Sequence, residues 1–355
     1  MEKRILGIDI GTTAIKAIVL DVISPSKMEI AKTVSIPHDL ISLHPGWAEE
    51  DVYVWKDNLY ILLSNLSKEI DLSSLVAIGF TGMVPALVCL DKDNLPIRNS
   101  IQQNDMRTSL EVESLKKLLE KDDSYFNKTG SHVNSQHILP RLLWLKEHEK
   151  SCYSRIKHIL GSYDYGAYLL TGTLHIESNW ALESGLFSLS KELSEDVFDL
   201  ACLERSVLPP LALPNQVVGY VTKEASLLTG IPSGIPVFAG TADHVASAYC
   251  TGARDNGDLV LKLGGAGDIL LSLDHLALDD RMFIDYFCSQ KCSFVLNGCT
   301  AASGSLIKWF KNEFGGDFKE LDKEAETIPA GSEGIVILPY VLGEKPLFST
   351  LMHEG

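Results

Sequence analysis

Gly7-Ile8-Asp9-Ile10-Gly11-Thr12-Thr13 sets one carboxylate at the end of an apolar run and follows it with a tight turn and two hydroxyls. The run Arg4 to Ile10 and a second one, Ala14 to Asp21, read as the arms of a β-hairpin around that turn. At Gly11 the backbone can approach a phosphate, while Thr12 and Thr13 offer N–H and O–H donors. Asp9 beside phosphates is repulsive unless a cation lies between them, so its natural role is a Mg2+ ligand, through water. Lys16 reaches the same phosphate or merely decorates the second strand. An ordinary hairpin turn is the other reading of these residues.

Outward from the hairpin, Met28 to Ile36 supplies a third strand, and a loop His44-Pro45-Gly46-Trp47 follows. Val52, Trp55, Leu59, Leu62, Leu63 and Leu66 then recur at helical spacing, which predicts an amphipathic helix over Val52 to Glu69. Leu75 to Thr81 and Ala86 to Leu90 read as strands, and Thr108 to Leu170 as mostly helical with breaks at Gly130 and Pro140. Leu208 to Pro214 and Gly230 to Pro236 are connectors. After Pro236 the opening motif echoes itself: a strand Val237 to Ala239, a helix Thr241 to Tyr249, a strand Asp258 to Leu263, the turn Gly264-Gly265-Ala266-Gly267, and a strand Asp268 to Leu273. Met282 to Phe287 and Cys292 to Leu296 extend this second sheet. Helices Ala302 to Phe314 and Phe318 to Thr327 and a strand Gly334 to Leu338 follow. Two Gly-turn hairpins of similar layout indicate an α/β protein with a duplicated nucleotide-binding lobe.

With 355 residues, the chain is long enough for two domains and a cleft between them. Its 45% hydrophobic and 22% charged residues are those of a folded globular protein. A net charge of −16 repels phosphodiester backbones and anionic lipid heads, which argues against nucleic-acid and membrane partners. An anionic substrate such as ATP therefore needs local compensation from backbone N–H groups, a divalent cation or a few placed Lys and Arg. The seven cysteines are scattered without a CxxC pair, and nothing at ligand spacing completes a metal site around Cys288 and Cys292. Asp9 interrupts any signal-peptide core, and no apolar run approaches the roughly 18 residues of a membrane span, so a cytoplasmic location is expected.

Three further stretches carry chemistry. In Gly240-Thr241-Ala242-Asp243-His244, Asp243 can take a proton from a substrate hydroxyl as that oxygen attacks phosphorus, or it can cap a helix. His244 is a ligand or a satisfied structural histidine. Gly264-Gly265-Ala266-Gly267 exposes N–H groups to an anion but is not a P-loop, because no Gly-Lys-Ser/Thr follows. Asn104-Asp105-Met106-Arg107 is equipped to grip a polyol or to form a surface pair.

Taken in order, these stretches resemble the FGGY family of carbohydrate kinases, within the actin, heat-shock chaperone and sugar kinase superfamily. The resemblance runs from residue 4 to about residue 346. It also rests on His44-Pro45-Gly46-Trp47-Ala48-Glu49, Pro140-Arg141-Leu142-Leu143-Trp144-Leu145, Leu169-Leu170-Thr171-Gly172 and Gly230-Ile231-Pro232-Ser233-Gly234-Ile235-Pro236-Val237. It implies two ribonuclease H-like lobes around a central cleft: 1–242, binding sugar and the first phosphate, and 243–355, an incomplete second lobe. It makes Asp243 the general base, sets Thr12 and Thr13 on the transferred phosphoryl group, and gives Asp9 and Asp243 to Mg2+. Gly264 to Gly267 become a second phosphate loop. Trp47, Gly82, Met83, Asn104, Asp105, Arg107, Asp243 and His244 fall on the sugar side. The turn Thr81-Gly82-Met83-Val84-Pro85 lacks the Arg-Glu pair of glycerol kinases, and Val84 stands where xylulokinases carry a sugar-binding His. The remaining frame resembles the xylulokinase branch, which implies ATP and a ketopentose or related polyol as substrates, with ribulose and gluconate as alternatives. The family's adenosine-binding segment has no counterpart in these residues. The expectations are therefore weak sugar binding, little or no ATP-dependent turnover, and aggregation or association through the second lobe, with a homodimer as one form. A sugar-binding pseudokinase or inactive fragment is the competing reading.

Overall fold

The opening run forms strand β1 (Lys3–Ile10), paired antiparallel with β2 (Ala14–Ser24), and β2 in turn pairs antiparallel with β3 (Lys27–Pro37). A two-residue strand β4 (Glu49–Glu50) leads into helix α1 (Val52–Glu69), whose N-cap Asp51 accepts the Tyr53 N–H at 2.8 Å. Its buried residues are Val52, Trp55, Leu59, Leu62, Leu63 and Leu66, the face marked by the helical spacing. Strand β5 (Leu75–Gly82) follows, then β6 (Val88–Leu90) and β7 (Ser100–Ile101). Next come helices α2 (Ser109–Leu119), α3 (Ser124–Thr129), α4 (Ile138–His148) and α5 (Lys150–Tyr153), strand β8 (His158–Leu160) and helix α6 (Ser162–Thr171). The segment closes with β9 (Ile176–Glu177), α7 (Ser178–Glu183), α8 (Glu195–Phe198), β10 (Leu211–Ala212), β11 (Val217–Tyr220), α9 (Lys223–Thr229) and β12 (Pro236–Ala242), from which α10 (Asp243–Cys250) departs.

This is a computed structural model, and it describes residues 3–24, 27–264, 267–287, 289, 291–300 and 303–337. Contacts divide the chain into two units, Met1–Ser247 and Ala248–Gly355. The first is built on a six-stranded sheet of order β11-β12-β5-β1-β2-β3, in which β12, β5 and β1 run parallel and the other neighbours antiparallel. Alternation along the strands puts Leu6, Ile8, Ile10, Ile78 and Phe80 into the core, each at most 3% exposed. Helix α6 packs against β1, β5 and β12, and α1 against β2 and β3.

Three sequence expectations need correction. Pro140 does not break a helix. It lies in the first turn of α4, where a missing N–H has no intrahelical partner to lose. Thr241 does not start a helix, because β12 continues to Ala242 and α10 begins at Asp243. The cause is a register shift against β5 between Phe238 and Thr241, centred on Gly240 at φ +80°, after which Thr241 pairs with Thr81 and Ala242 with Gly82. Finally, Gly334 to Leu338 is not a strand over its described part: Ser332–Gly334 is a 3₁₀ turn, and residues 335–337 have no strand partner among the described residues. Ile335, Val336 and Ile337 are 70%, 83% and 62% exposed, and β-branched residues without a neighbouring edge do not make a sheet. Leu338 lies outside the described residues.

The second unit contains β13 (Leu259–Leu263), β14 (Gly267–Leu273), β15 (Phe283–Tyr286) and β16 (Phe294–Thr300), all antiparallel in the order β13-β14-β16-β15. Helices α11 (Gly304–Phe314) and α12 (Phe318–Glu326) follow, neither with a buried residue. A cavity of about 460 Å³ opens on this sheet between Leu261, Leu263, Ile269, Met282 and Cys299. Among the described residues, no helix is long and apolar enough to cross a membrane.

Candidate active site

Three neighbouring parallel strands deliver the site. At their carboxyl ends Asp9 of β1 pairs with Thr81 of β5, Thr81 with Thr241 of β12, and Gly82 with both Ile10 and Ala242. Asp9, the turn Gly82-Met83 and Asp243 thus leave one end of one sheet, the end at which open α/β sheets bind their ligands. Strands lie about 4.8 Å apart, so β1 and β12, separated by β5, are roughly 10 Å apart. The side chains of Asp9 and Asp243 are 29% and 43% exposed.

Around Asp9 the hairpin turn is closed by the Gly11 N–H, which donates to the Ala14 carbonyl at 3.2 Å. Lys16 sits across the ladder from Asp9 with its Nζ 3.6 Å from Oδ2, so it shares the carboxylate's surroundings. Thr12 is half-buried and Thr13 exposed. Gly82 has no room for a side chain: an added Cβ would lie 2.7 Å from the Ile10 carbonyl oxygen and 2.8 Å from Ser162 Oγ. Met83 is buried and donates its N–H to that same Ile10 carbonyl at 3.1 Å. Arg141, quoted above only within the stretch Pro140 to Leu145, holds the far side of this turn. Its Nη1 donates to the Pro85 carbonyl at 2.7 Å, and complete burial pulls its guanidinium down to about 9.

Behind Asp243 stands a buried polar group that sequence reasoning missed. Thr81 Oγ1 donates to the Thr241 carbonyl at 2.7 Å, and Asn179 Nδ2 donates to Thr241 Oγ1 at 2.8 Å. The Asn179 N–H in turn donates to Glu177 at 2.9 Å, as do Tyr163 Oη at 2.8 Å and Ser178 Oγ at 2.6 Å. Asp164 accepts the Glu177 N–H at 3.1 Å. Burial outweighs these donors and pushes Glu177 up to about 7, and burial together with Glu177 pushes Asp164 well above the usual carboxyl range. His244 is a further buried neighbour, its Nδ1 3.5 Å from Asp243 Oδ1 and its Nε2 3.9 Å from Glu183 Oε1.

A pH dependence follows from Glu177. Its folded pKa lies above its unfolded one, so the stabilisation is complete below about pH 4.5 and is lost as pH rises through about 7. Unfolding free energy should fall by roughly 2 kcal/mol between about pH 5.5 and pH 8 from this group alone. Burial pulls His175 down to about 4 and His137 to about 3, which works the opposite way below pH 6.5, so the clean comparison is a difference between two proteins. Denaturant titrations of wild type and Glu177→Gln at several pH values should show the wild-type decline reduced in the variant. Parallel curves would mean that Glu177 is ionised throughout.

Asp105 and Arg107 are not a surface pair. Both side chains are fully buried, with Arg107 Nη2 2.7 Å from Asp105 Oδ2 and Nη1 2.7 Å from Glu49 Oε1. The guanidinium also lies 3.8 Å from the centre of the Trp47 ring, whose edge contacts Trp144. Asp105 Oδ2 further accepts the Ala48 N–H at 2.6 Å. Trp47, Asp105 and Arg107 therefore form one cluster beside the β4–β7 pair, with Asn104 exposed at its margin. In the second unit, Gly264 follows β13, and Gly267 opens β14 and lines the cavity there with Thr300 and Ser303. Gly265 and Ala266 lie outside the described residues.

The description of the FGGY family of carbohydrate kinases, N-terminal domain, fits residues 4–250, which include every strand of the six-stranded sheet and Asp243. The chain belongs to the FGGY family of carbohydrate kinases. Among curated relatives it is 30% identical over 349 residues to a xylulose kinase of Lactococcus lactis, covering 96% of this chain and 68% of that one. The crystal structure of xylulose kinase from Rhodospirillum rubrum is 39% identical and superimposes with a TM-score of 0.90 over 97% of this chain and 71% of that chain. A gluconate kinase structure from Lactobacillus acidophilus, 26% identical, gives a TM-score of 0.88 over 97% and 70%. This FGGY protein is thus a carbohydrate kinase of the actin-like, ribonuclease H-like fold, with a sugar and ATP as its substrate classes.

Proposed function

We propose that this kinase transfers the γ-phosphoryl group of ATP to a hydroxyl of a ketopentose of the xylulose class, with Asp243 as general base. The observation that carries the reading is the delivery of Asp9, Gly82-Met83 and Asp243 to one end of three adjacent parallel strands. The substrate class is supported by relatives named xylulose kinase at 30% and 39% identity. On this reading Asp243 takes the hydroxyl proton as the sugar oxygen bonds to the γ-phosphorus and the bond from phosphorus to the ADP oxygen breaks. Thr12 and Thr13 donate to the transferred group. The turn Gly82-Met83, His244, and Trp47 with Asn104 orient the sugar, and Asp105 with Arg107 supports them.

The donor set also fits Mg2+: hard carboxylate oxygens at Asp9 and Asp243, both partly exposed, with Lys16 able to meet phosphate charge. When bound, the cation neutralises charge on the phosphates. The turn Gly264 to Gly267 is assigned as an anion-binding turn of the second unit. Gluconate is the second reading, favoured by the likeness to the gluconate kinase structure.

A coupled ADP-release assay over D-xylulose, L-xylulose, ribulose, gluconate and glycerol tests the substrate. The highest kcat/KM is expected for a xylulose. A preference for gluconate would establish the second reading, and a preference for glycerol, or no acceptor above background, would end both.

A further inference from the structure

One residue, His38, grips both ends of the turn that carries Thr12 and Thr13. Its backbone N–H donates to the Thr13 carbonyl at 3.0 Å, and its ring Nε2 lies 3.0 Å from the Gly11 carbonyl oxygen. A carbonyl can only accept, so Nε2 carries a proton. The same nitrogen is 3.0 Å from Glu50 Oε2, which also accepts from Trp55 Nε1 at 2.7 Å. The side chains of His38 and Glu50 are 2% and 1% exposed. Burying a carboxyl is costly, and burial does push Glu50 up against the opposing pull of His38 and Trp55. The hairpin does not need this expense to close, because its ladder runs from Lys3 to Ile10 and the Gly11 N–H already bonds Ala14.

What the contact adds is orientation. In a planar trans peptide the C=O and the following N–H point in opposite directions. With the Gly11 oxygen tied to the buried ring, the Thr12 N–H faces away from that ring. We propose that His38, backed by Glu50 and Trp55, is a positioning residue that holds the Gly11–Thr12 peptide with its N–H presented to the transferred phosphoryl group. The inference rests on the reading of this turn as the phosphate site. None of the three side chains touches the phosphate.

The test compares wild type with His38→Ala, His38→Gln, whose amide nitrogen reaches the Gly11 oxygen, and His38→Asn, which is polar but too short. Affinity for Mg·tripolyphosphate is measured by calorimetry, and acceptor KM by steady-state assay. His38→Ala and His38→Asn should weaken tripolyphosphate binding about tenfold, equivalent to about 1.4 kcal/mol. His38→Gln should stay within about threefold of wild type, and acceptor KM should not move. If the Ala protein does not fold, the contrast between Asn and Gln decides. Equal affinities in all proteins, or equal losses in Asn and Gln, would overturn the proposal. A wild type that does not bind tripolyphosphate overturns both this inference and the phosphate reading beneath it. The expected contrast in a protein that phosphorylates no sugar leaves His38 in place and removes only the acceptor assignment.

Discussion

Asp243→Asn should lower kcat by about 10²–10⁴-fold while leaving the KM of the sugar within a small factor of wild type. Asn keeps the size of Asp and can still hydrogen-bond a hydroxyl, but it cannot accept the proton that must leave as the sugar oxygen attacks phosphorus. Asp243 is the first residue of α10 and partly exposed, so the substitution unburies nothing and breaks no core packing. A matched thermal melt separates chemistry from folding: the Asn variant should melt close to wild type. Unchanged turnover would reduce Asp243 to a helix-end residue and move the base elsewhere.

Gly240→Ala should cost at least about 4 kcal/mol, a loss that puts it among the rare severe substitutions. An added Cβ would lie 1.6 Å from the Phe80 carbonyl oxygen, and that oxygen belongs to the β5 backbone, which cannot rotate away as a side chain would. The φ of +80° adds strain for any residue with a Cβ. Relief requires β12 to peel from β5, and that separates Thr241 from Thr81 and carries Asp243 away from Gly82. Urea denaturation and soluble yield measure it. A variant that folds within about 1 kcal/mol of wild type would show that the β12 bulge takes another form.

The sequence made the periodic parts legible and the long-range parts not. The helix from Val52 to Glu69 was readable to its ends, because six apolar residues at helical spacing need only one neighbouring surface. The hairpin was readable for the same reason: strand, glycine turn and strand are contiguous. Asp243 is singled out by its place after a short apolar run, but the run's true length is hidden. Gly240 looks like a strand end, and only the pairing of Thr241 with Thr81 across 160 residues of chain shows that the strand continues. Asp105 and Arg107 read as a local pair because their other partners, Glu49, Trp47 and Trp144, are distant in sequence. His38 carried no signal at all. It follows the third strand without a motif, and its role depends on where the hairpin turn and Glu50 meet it in space. Asn179 and Glu177 were invisible for the same reason.

On the assignment proposed above, the three strand ends also divide the labour of evolution. Asp9 stands on β1 and Asp243 directly follows β12, both strands paired to β5, whereas the residues after Gly82 form a turn supported from behind by Arg141, which donates to the Pro85 carbonyl. A support that grips main chain is indifferent to which side chains the turn displays. Residues 83 and 84, both buried, can therefore be exchanged as acceptors change for side chains that fit the same space, while the ends of the sheet assigned to phosphate stay as they are. A lineage can explore new sugars by rewriting one short turn, without rebuilding the apparatus that moves the phosphoryl group.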